Sequence, residues 1–262
     1  MKNILITGAA GSIGYQLANS LSGNSDINLT LLDLKSSYSV KRLKKLKQLC
    51  EVIYGDVNDS NLMIKLIHRN DIIIHLASVD PVISNNFPEL CSEINEMGTA
   101  NICRIINNIN NKCFLIYASS VVNDNPNSVY ENTNLKNEKY ISSKLYKYSI
   151  LRLEPVLIAK ENTMVSIDKN SEVEFVCIND VITLIEDIIK NQARYNKKTL
   201  NVSGGQKCIT IYSEHIKKLK SINKFKYKAK NKFGYPSIII NKEEFYQHES
   251  LEDYYKKCGM KE

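Results

Sequence analysis

The segment TGAAGSIG, residues 7–14, follows a short apolar run and opens a stretch of amphipathic periodicity. This context predicts a β-strand, a tight glycine turn and then an α-helix. Gly8 permits the turn, Gly11 lets backbone amides approach a pyrophosphate, and Gly14 allows the helix to pack closely on the strand. The free N–H groups of the helix N-terminus, which starts at Ser12, would bind the phosphates. The segment therefore predicts a dinucleotide-binding site.

An acidic residue stands where such a site needs one. Asp33 ends the next apolar run, NLTLLD, nineteen residues after Gly14. A carboxylate at this position accepts hydrogen bonds from both adenosine ribose hydroxyls and repels a 2′-phosphate, so NAD is predicted over NADP. Asp56, in YGDVND, ends the third apolar run and can bind the adenine amino group. A helix N-cap or a turn is the alternative role for Asp56.

Short apolar runs alternate with amphipathic segments through the first half of the chain. Such runs are typical of parallel strands that helices cover on both faces, so the sequence predicts an α/β, Rossmann-like, doubly wound parallel sheet. The predicted strands are 3–7, 28–33, 51–54, 71–77 and 112–118, and the predicted helices are 12–21, 40–49, 61–69 and 91–108.

The pattern loosens after residue 155. The predicted elements there are strands at 173–178 and 199–202, helices at 179–190 and 212–219, and a strand in KFKYKAKNK (224–232). Lysines alternate along that last strand, as on a solvated outer face or a surface that attracts an anion. We predict an NAD-binding domain over 1–155, joined by a strand and a helix from 173–203. A small C-terminal substrate-binding cap would occupy 156–262.

Composition places the chain among soluble globular proteins, since 43% of its residues are hydrophobic and 24% are charged. No apolar run approaches the length of a membrane span, so none is predicted. The seven cysteines include no CxxC pair and the four histidines are scattered. This predicts reduced thiols in a cytoplasmic protein and no metal site. The net charge of +7 resides mainly in residues 207–262, so nucleic acid is not a predicted partner.

A second motif, YISSK (140–144), places Tyr140 and Lys144 at i and i+4, on one face of a predicted helix. A free tyrosine has a pKa of about 10, which is too high for proton exchange at neutral pH. A lysine ammonium and an oxidised nicotinamide nearby would lower that pKa. Ser119 and Ser120 end the preceding strand at the sheet edge where a ligand cleft is expected.

Together these features resemble the short-chain dehydrogenase/reductase superfamily, and more narrowly its extended branch of NAD-dependent sugar-nucleotide epimerases and dehydratases. The motifs that carry the resemblance run through most of the chain. They are TGAAGSIG for TGxxGxxG, HLAS (75–78) for HLAA, residues 95–101 for NxxGTxN, the serines 119–120 for the catalytic Ser/Thr turn, YISSK for YxxSK, FVCINDV (175–181) for FVHVDDV and LNVSGG (200–205) for NxGxG.

The resemblance implies hydride transfer at a carbon of a nucleotide-activated sugar, with NAD as cofactor. It implies that Tyr140 is the acid/base and that Lys144 binds the ribose and lowers the pKa of Tyr140. It also implies that Ser120 forms a hydrogen bond with the reacting oxygen. The cofactor-binding residues that it implies are Gly8, Gly11, Ser12, Ile13, Gly14, Asp33, Asp56, Val57, Leu76, Ala77, Ser78, Asn95, Tyr140 and Lys144.

The substrate half departs from the family pattern. Val121 and Val122 follow the serine turn where dehydratases carry acidic residues, which leaves C4 epimerisation or 4-keto-sugar reduction as the expected reactions. Pro155 replaces a substrate-contacting asparagine, and Val173 lies near the position of a diphosphate-binding arginine. The alternatives are a short-chain dehydrogenase of a smaller, non-nucleotide substrate and a non-catalytic NAD-binding regulatory module.

Assembly and phosphate binding are expected to differ from the family in the same half. Few residues separate Lys144 from the next strand, so the usual helix of the family's four-helix dimer bundle is too short. We therefore expect a monomer or a non-standard homodimer. The lysines of residues 217–232 are the cations that could instead bind the diphosphate of a nucleotide-sugar substrate. A substrate of this kind would place the protein in polysaccharide biosynthesis.

Overall fold

The computed structural model describes residues 1–121, 128–158, 170, 172–221 and 250–258. None of the helices in those ranges combines the length and the apolar character that crossing a membrane requires. The strands are β1 (Lys2–Thr7), β2 (Ile27–Asp33), β3 (Glu51–Tyr54), β4 (Ile72–His75), β5 (Phe114–Ser120), β6 (Tyr148–Leu153), β7 (Val156–Leu157), β8 (Glu172–Glu174), β9 (Val176–Cys177), β10 (Lys198–Val202) and β11 (Ile209–Ile211).

Helices connect these strands. They are α1 (Ser12–Leu21), α2 (Ser37–Leu43), α3 (Ser60–His68), α4 (Pro81–Asn86), α5 (Pro88–Cys91), α6 (Gly98–Ile109), α7 (Val129–Lys144), α8 (Ile178–Lys190), α9 (Gln192–Tyr195), α10 (Tyr212–Ser221) and α11 (Leu251–Cys258). Short 3₁₀ turns occur at Leu46–Gln48 and Gly205–Cys208, and a π-helical segment, Ser92–Met97, joins α5 to α6.

Seven strands form one parallel sheet in the order β10-β6-β5-β4-β1-β2-β3. Alternate residues of β1 point to opposite faces of this sheet. Ile4 packs with Leu17 of α1 and Ile185 of α8 on one face. Leu5 packs with Ile102 of α6 on the other face, where α3 and α7 also lie. The apolar runs are therefore buried on both sides, which confirms the predicted doubly wound parallel sheet.

The structure differs from the predicted elements mainly beyond the first five strands. The predicted strand 173–178 is broken into β8, which pairs antiparallel with β11, and β9, which pairs with β7. β10 joins the edge of the main sheet beside β6. The predicted strand at 224–232 lies outside the described residues. The division into two domains at residue 155 stays a prediction.

Two predicted helices also differ in detail. The helix expected over 40–49 ends at Leu43 and continues as a 3₁₀ turn. The long helix expected over 91–108 contains the π-helical segment Ser92–Met97 before α6 begins. Helix α7 ends at Lys144, and Leu145 is already extended, in agreement with the short link predicted from the sequence.

Candidate active site

The glycine loop between β1 and α1 has two positions, Gly8 and Gly14, at which neighbouring atoms leave no room for a side chain. Gly8 has a φ of +68°, and a Cβ atom there would lie 2.7 Å from the backbone nitrogen of Ala77. A Cβ atom on Gly14 would lie 2.3 Å from the carbonyl oxygen of Gly8. The loop therefore sits directly against the chain that leaves β4 and against the first turns of α1.

Helix α1 begins with uncapped N–H groups at the same edge of the sheet. Its N-cap is Gly11, which makes no side-chain hydrogen bond, and both Gly11 and Ser12 are exposed. Ile13 lies in the same first turn. Exposed N–H groups at the positive end of a helix dipole favour an anion. The cradle of glycines and the open helix end thus fit the pyrophosphate of a dinucleotide.

Asp33 lies beside this loop at the end of β2. Its Oδ2 atom accepts a hydrogen bond from the backbone N–H of Ala10 at 2.7 Å. Burial raises the pKa of the Asp33 carboxyl, while the backbone N–H groups of Ala10 and Leu34 lower it. The loop itself therefore fixes the carboxylate at the position where an adenosine ribose would meet it.

Asp56 lies in the exposed turn after β3. Its Oδ1 atom accepts a hydrogen bond from the backbone N–H of Asn58 at 2.8 Å, a typical turn contact. The N-cap of α3 is Asp59, so of the two structural alternatives the turn is correct and the helix cap is not. The contact of Asp56 with adenine stays a prediction. Val57 is buried against Gly98 of α6.

Residues 76–78 continue the chain beyond β4 at the same sheet edge. The backbone N–H of Ala77 donates to Oγ1 of Thr7 at 3.3 Å. The buried Asn95 holds Val79, the residue that follows this segment. Its Oδ1 accepts a hydrogen bond from the N–H of Val79 at 2.8 Å, and its Nδ2 donates to the Val79 carbonyl at 3.3 Å. Asn95 therefore supports the loop, and its predicted contact with the cofactor stays a prediction.

Beneath this edge a buried polar chain joins β1, β4 and α6. Oγ1 of Thr7 and Nδ1 of His75 are 2.7 Å apart, and Nε2 of His75 is 3.1 Å from Oγ1 of Thr99. Burial lowers the pKa of His75 to about 4, so the imidazole is neutral at physiological pH. His75 therefore ties three elements together and carries no charge to the cleft.

The structure separates the YISSK pair from Ser120, so the catalytic role of Tyr140 and Lys144 beside that serine stays a prediction that the geometry does not favour. Nζ of Lys144 lies 5.8 Å from the ring centroid of Tyr140, so the two share a helix face as predicted. Helix α7, however, runs from the carboxyl end of β5 back to the amino end of β6, which starts at Tyr148. The pair sits in its last turns, and Tyr140 packs on the core cluster that contains Leu115 and Tyr148.

The distance along the sheet is too large for Tyr140 and Lys144 to share one site with Ser120. Leu115 pairs with Tyr148 near the start of β5, and Ser120 ends that strand five residues later. Five strand residues span about 16 Å. The side chains of Tyr140 and Lys144 therefore lie near the amino edge of the sheet, whereas the glycine loop and Ser120 lie at the carboxyl edge.

A different tyrosine occupies the start of α7. Tyr130 lies in the first turn, ten residues and about 15 Å along the helix axis before Tyr140. The side chains of Ser78 and Asn134 approach its hydroxyl and lower its pKa, whereas burial raises that pKa by more. Tyr130 as a residue is still partly exposed, so it is the hydroxyl end that is enclosed. Thr133 follows at i+3, so YENTN has the spacing of YxxSK with asparagine in the lysine position.

One sequence signal would have located this tyrosine. Ser128 caps the backbone N–H of Glu131, and the Glu131 carboxylate accepts from the Ser128 N–H, which is the S-x-x-E capping box. The box fixes the start of α7 at Val129. A helix that starts there and runs back along the sheet must keep Tyr130 near the strand ends and carry Tyr140 away from them.

The two serines that follow neighbouring strands lie on the same edge. His75 of β4 pairs with Tyr117 of β5, and Ser78 and Ser120 each stand three residues beyond that pair. Neighbouring strands are about 4.8 Å apart, so both serines leave the sheet at its carboxyl edge. Tyr130 approaches Ser78 there. The structure therefore brings the glycine loop, Ser78, Ser120 and Tyr130 to one edge.

The substrate side of this edge carries an unusual carboxyl group. Glu154 follows β6 directly, and its burial, together with the charge of Glu174, raises the pKa of Glu154 to about 8. Glu174 accepts a hydrogen bond from the backbone N–H of Gly205 at 2.7 Å. Val173 is buried in β8 and offers neither charge nor hydrogen bond. Within the described residues, no three His, Cys, Asp or Glu side chains are placed to hold a metal ion.

A parallel sheet with this glycine loop, an open helix end and a carboxylate after β2 defines a dinucleotide-binding α/β protein. The chain belongs to the NAD dependent epimerase/dehydratase family, which it matches over residues 4–154. The matched stretch includes the glycine loop, Asp33 and the whole of α7. The family's cofactor is NAD, as the position of Asp33 predicts.

Known relatives support the same fold. The CDP-paratose 2-epimerase of Salmonella typhi is 28% identical over 178 residues, which cover 66% of this chain and 47% of the relative. The chain therefore spans about half the length of that curated relative. UDP-glucuronic acid 4-epimerase from Bacillus cereus, in complex with UDP-glucuronic acid and NAD, is 20% identical with a TM-score of 0.74, over 88% of this chain and 86% of that one. UDP-glucose 4-epimerase from Thermotoga maritima, with UDP-glucose, is 18% identical with a TM-score of 0.71, over 98% and 97%.

Proposed function

We propose that this chain is an NAD-dependent enzyme that transfers hydride at a carbon of a nucleotide-activated sugar, as a C4 epimerase or a 4-keto-sugar reductase. The observation that carries the proposal is the approach of Tyr130 to Ser78 at the sheet edge that also holds the glycine loop and Ser120. The relatives act on or bind UDP- or CDP-activated sugars, as their names state.

Each residue at the edge has a separate task in this proposal. The N–H groups at Ser12 and Ile13 hold the pyrophosphate, and Asp33 binds the adenosine ribose. Gly11 keeps its N–H on the carbonyl of Gly8 at 3.0 Å and leaves room for the phosphate. NAD, when bound, supplies the hydride chemistry. Ser120 donates a hydrogen bond to the reacting oxygen, and Tyr130 carries the proton that this oxygen gains or loses.

Two tyrosine variants test the assignment against each other. Tyr130→Phe removes only the hydroxyl, so turnover should fall by about a hundredfold or more while NAD affinity and the melting temperature change little. Tyr140→Phe is the matched control and should keep nearly full activity. Turnover is followed with NAD and a panel of UDP- and CDP-sugars, and NAD binding by calorimetry. Loss of activity in Tyr140→Phe alone would assign the acid/base role to Tyr140 of YISSK instead.

A second candidate is a dehydrogenase of a smaller substrate without a diphosphate. It is favoured by Val173, which is buried in β8, and by Pro155, which has no N–H donor for a substrate oxygen. Lysines 224, 226 and 228, the other candidate phosphate ligands, lie outside the described residues. A panel that pairs each nucleotide sugar with its free sugar discriminates the two, since only the second candidate predicts turnover of the free sugar.

We also propose a cytoplasmic location, a role in polysaccharide biosynthesis, and a monomer or a homodimer that avoids the usual helix bundle. Cys50, Cys91, Cys103 and Cys113 are free thiols, which suits a reducing compartment. Sedimentation analysis of the purified protein tests the assembly, and a bundle dimer through α7 would overturn this part.

A further inference from the structure

Two polar side chains that follow neighbouring strands of the sheet share one buried face. Leu153 of β6 pairs with Val202 of β10, and both belong to the core cluster on the side of α1 and α8. The next residues are Glu154 and Ser203, and the backbone N–H of Glu154 still donates to the Val202 carbonyl at 3.0 Å. Successive residues of a strand point to opposite faces, so Glu154 and Ser203 both point away from that cluster, on chains about 4.8 Å apart.

Neither of these side chains has a hydrogen-bond partner within the described residues. Ser203 is 1% exposed, and its Oγ atom makes no hydrogen bond. Glu154 is 8% exposed, and no donor or cation is among the groups that shift the pKa of its carboxyl. Arg152, two residues earlier, is held by Glu138 through hydrogen bonds at 2.7, 3.0 and 3.1 Å. Buried polar groups nearly always have partners, so Glu154 and Ser203 together indicate a ligand.

A third part of the chain, residues 174–176, is hydrogen-bonded to the ends of both strands. The N–H of Gly204 donates to the Phe175 carbonyl at 2.9 Å, and the N–H of Val176 donates to the Pro155 carbonyl at 3.1 Å. Gly204 and Pro155 are the residues that directly follow the two side chains without partners. These hydrogen bonds therefore fix the segment 174–176 beside both of them.

Glu174 brings a second carboxylate to this place. Its Oε1 atom accepts a hydrogen bond from the backbone N–H of Gly205 at 2.7 Å, so the carboxylate is fixed and its other oxygen remains without a described partner. The charge of Glu174, together with burial, raises the pKa of Glu154 to about 8. Within the described residues, neither carboxyl group forms an ion pair with a lysine or arginine. We call Glu154, Glu174 and Ser203 the acceptor cluster.

The make-up of the acceptor cluster indicates the chemistry of its ligand. Three side chains offer oxygen atoms, and an ammonium group carries three N–H donors and no acceptor. A sugar hydroxyl has one proton to donate and no charge to offset two carboxylates. A divalent cation takes about six oxygen ligands, and the described residues contain no three His, Cys, Asp or Glu side chains that could hold one. An ammonium group therefore matches both the number of acceptors and their charge.

We propose that the acceptor cluster binds the ammonium group of an amino sugar, so that the nucleotide-activated sugar used by this protein carries a free amine. This inference rests on the proposed function and narrows its substrate class. The cluster begins one residue after Leu153, which pairs with Ser120, so it lies at the same edge of the sheet as the proposed active site. Since C4 is the reacting carbon, the amine belongs at C2, C3 or C6. Glu154 gives its proton to solvent when the ammonium binds, and no covalent bond of the sugar changes.

Calorimetric titration of the full chain with NAD bound tests the preference. The probes are UDP-hexosamines with a free amine at C2, C3 or C6. Each is compared with the UDP-hexose that carries a hydroxyl at that carbon and with its own N-acetyl derivative. We expect at least one free amine to bind about tenfold or more tightly than both counterparts, because its charge meets two carboxylates. Equal affinities within all three sets would overturn the inference.

Variants in the acceptor cluster assign the preference to its side chains. Glu154→Gln keeps the size of the side chain and removes its charge, so the preference for the amine should fall to about twofold or less. The Kd values for NAD and for the hydroxyl-bearing sugar should stay nearly unchanged. Ser203→Ala should weaken the amino sugar by about threefold. Glu172→Gln, exposed on β8, is the matched control and should keep the full preference. A preference that survives Glu154→Gln would contradict the assignment.

A measurement on the wild-type protein covers the case in which these variants fail to fold. At about pH 6 a free amine is protonated, and so is Glu154 in the protein without ligand, because its pKa is about 8. Binding of the ammonium should then release about half a proton or more, since a cation favours the ionised carboxyl. The release is measured as the dependence of the binding enthalpy on the ionisation enthalpy of the buffer. The hydroxyl-bearing sugar should release none, and equal release by both ligands would overturn the inference.

Turnover separates this inference from the proposed function. If the amino sugars bind as expected but none is turned over with NAD or NADH, the proposed function fails and the ammonium site stands. If hydroxyl-bearing sugars are turned over and bind as tightly as the amino sugars, the proposed function stands and the ammonium site is overturned.

Discussion

Glu138 of α7 and Arg152 of β6 form a two-point ion pair. Nη2 of the arginine lies 2.7 Å from Oε2 of the glutamate, and its Nε lies 3.0 Å from Oε1. Oγ of Ser119 donates a further hydrogen bond to Oε1 at 2.6 Å. The pair anchors the helix that carries Tyr130 to the two strands that end nearest to it, β5 and β6.

Breaking this pair should destabilise the fold strongly. The Glu138 side chain is 8% exposed, so Arg152→Met would leave a buried carboxylate without its cation. We expect the free energy of unfolding to fall by about 2–3 kcal/mol, measured by urea denaturation. Lys136→Met is the matched control, because the Lys136 side chain is 66% exposed and its ion pair with Glu96 should contribute less than about 1 kcal/mol. Equal losses in the two variants would contradict a buried, anchoring pair.

The glycine loop gives a second prediction. Gly14→Ala would place a Cβ atom 2.3 Å from the carbonyl oxygen of Gly8, so the loop must shift and its N–H groups must leave the phosphate position. We expect NAD affinity to fall by about tenfold or more in calorimetric titration. Gly23→Ala, which meets no atom within 4 Å, is the control and should bind NAD normally. Normal binding by both variants would remove the loop from the cofactor site.

Asp33 sets the expected choice between the two nicotinamide cofactors. Its carboxylate is held by the N–H of Ala10 beside the ribose position and would repel the 2′-phosphate of NADP. Asp33→Ser should weaken NAD and bring the Kd values for NAD and NADP closer together. Asp26→Ser removes the same charge from an exposed turn and should leave the ratio unchanged. Equal affinities in the wild-type protein would contradict the assignment.

Glu154 should make the stability of the protein depend on pH. Its pKa is 4.5 in the reference state and about 8 in the folded protein, so the folded state binds the proton more tightly. The contribution of Glu154 to the stability of the protein is therefore greatest below about pH 4.5 and is lost as the pH rises towards 8. Ionisation of Glu154 should lower the free energy of unfolding of the wild-type protein by about 3 kcal/mol or less between these two pH values. Glu154→Gln should abolish this pH dependence, which urea unfolding at several pH values measures. Glu172→Gln, exposed on β8, is the control and should keep the wild-type slope.

The sequence predicted the sheet and the cofactor half well because their signals are local. Strand β1, the glycine loop and helix α1 follow from the periodicity and the spacing of the glycines, and Asp33 follows from the end of the next run. The tyrosine that we propose as catalytic was not predicted, because the choice between Tyr130 and Tyr140 depends on where α7 begins relative to the sheet. The lysine in YISSK favoured Tyr140, although the capping box at Ser128 marked the helix start.

The polar interior could not be predicted for a related reason. The chain from Asn95 through Asn137 and Tyr117 to Asn134 joins residues that are distant in sequence, and amphipathic periodicity carries no information about them. In a helix with so many buried polar residues, the apolar stripe that normally marks the inner face is nearly absent. The same holds for Glu154 and Glu174, whose proximity depends on the fold of the segment between them.

The contact between Gly8 and Ala77 has a consequence for how the site can change. Ala77 stands next to Ser78, which approaches Tyr130, so the glycine loop and the proposed catalytic tyrosine are connected through two neighbouring residues. A shift of the loop at Gly8 is thereby transmitted to the tyrosine. Under the proposed function, this contact therefore links cofactor affinity to proton transfer. A laboratory selection that relaxes cofactor choice through loop substitutions should therefore alter reaction rate at the same time.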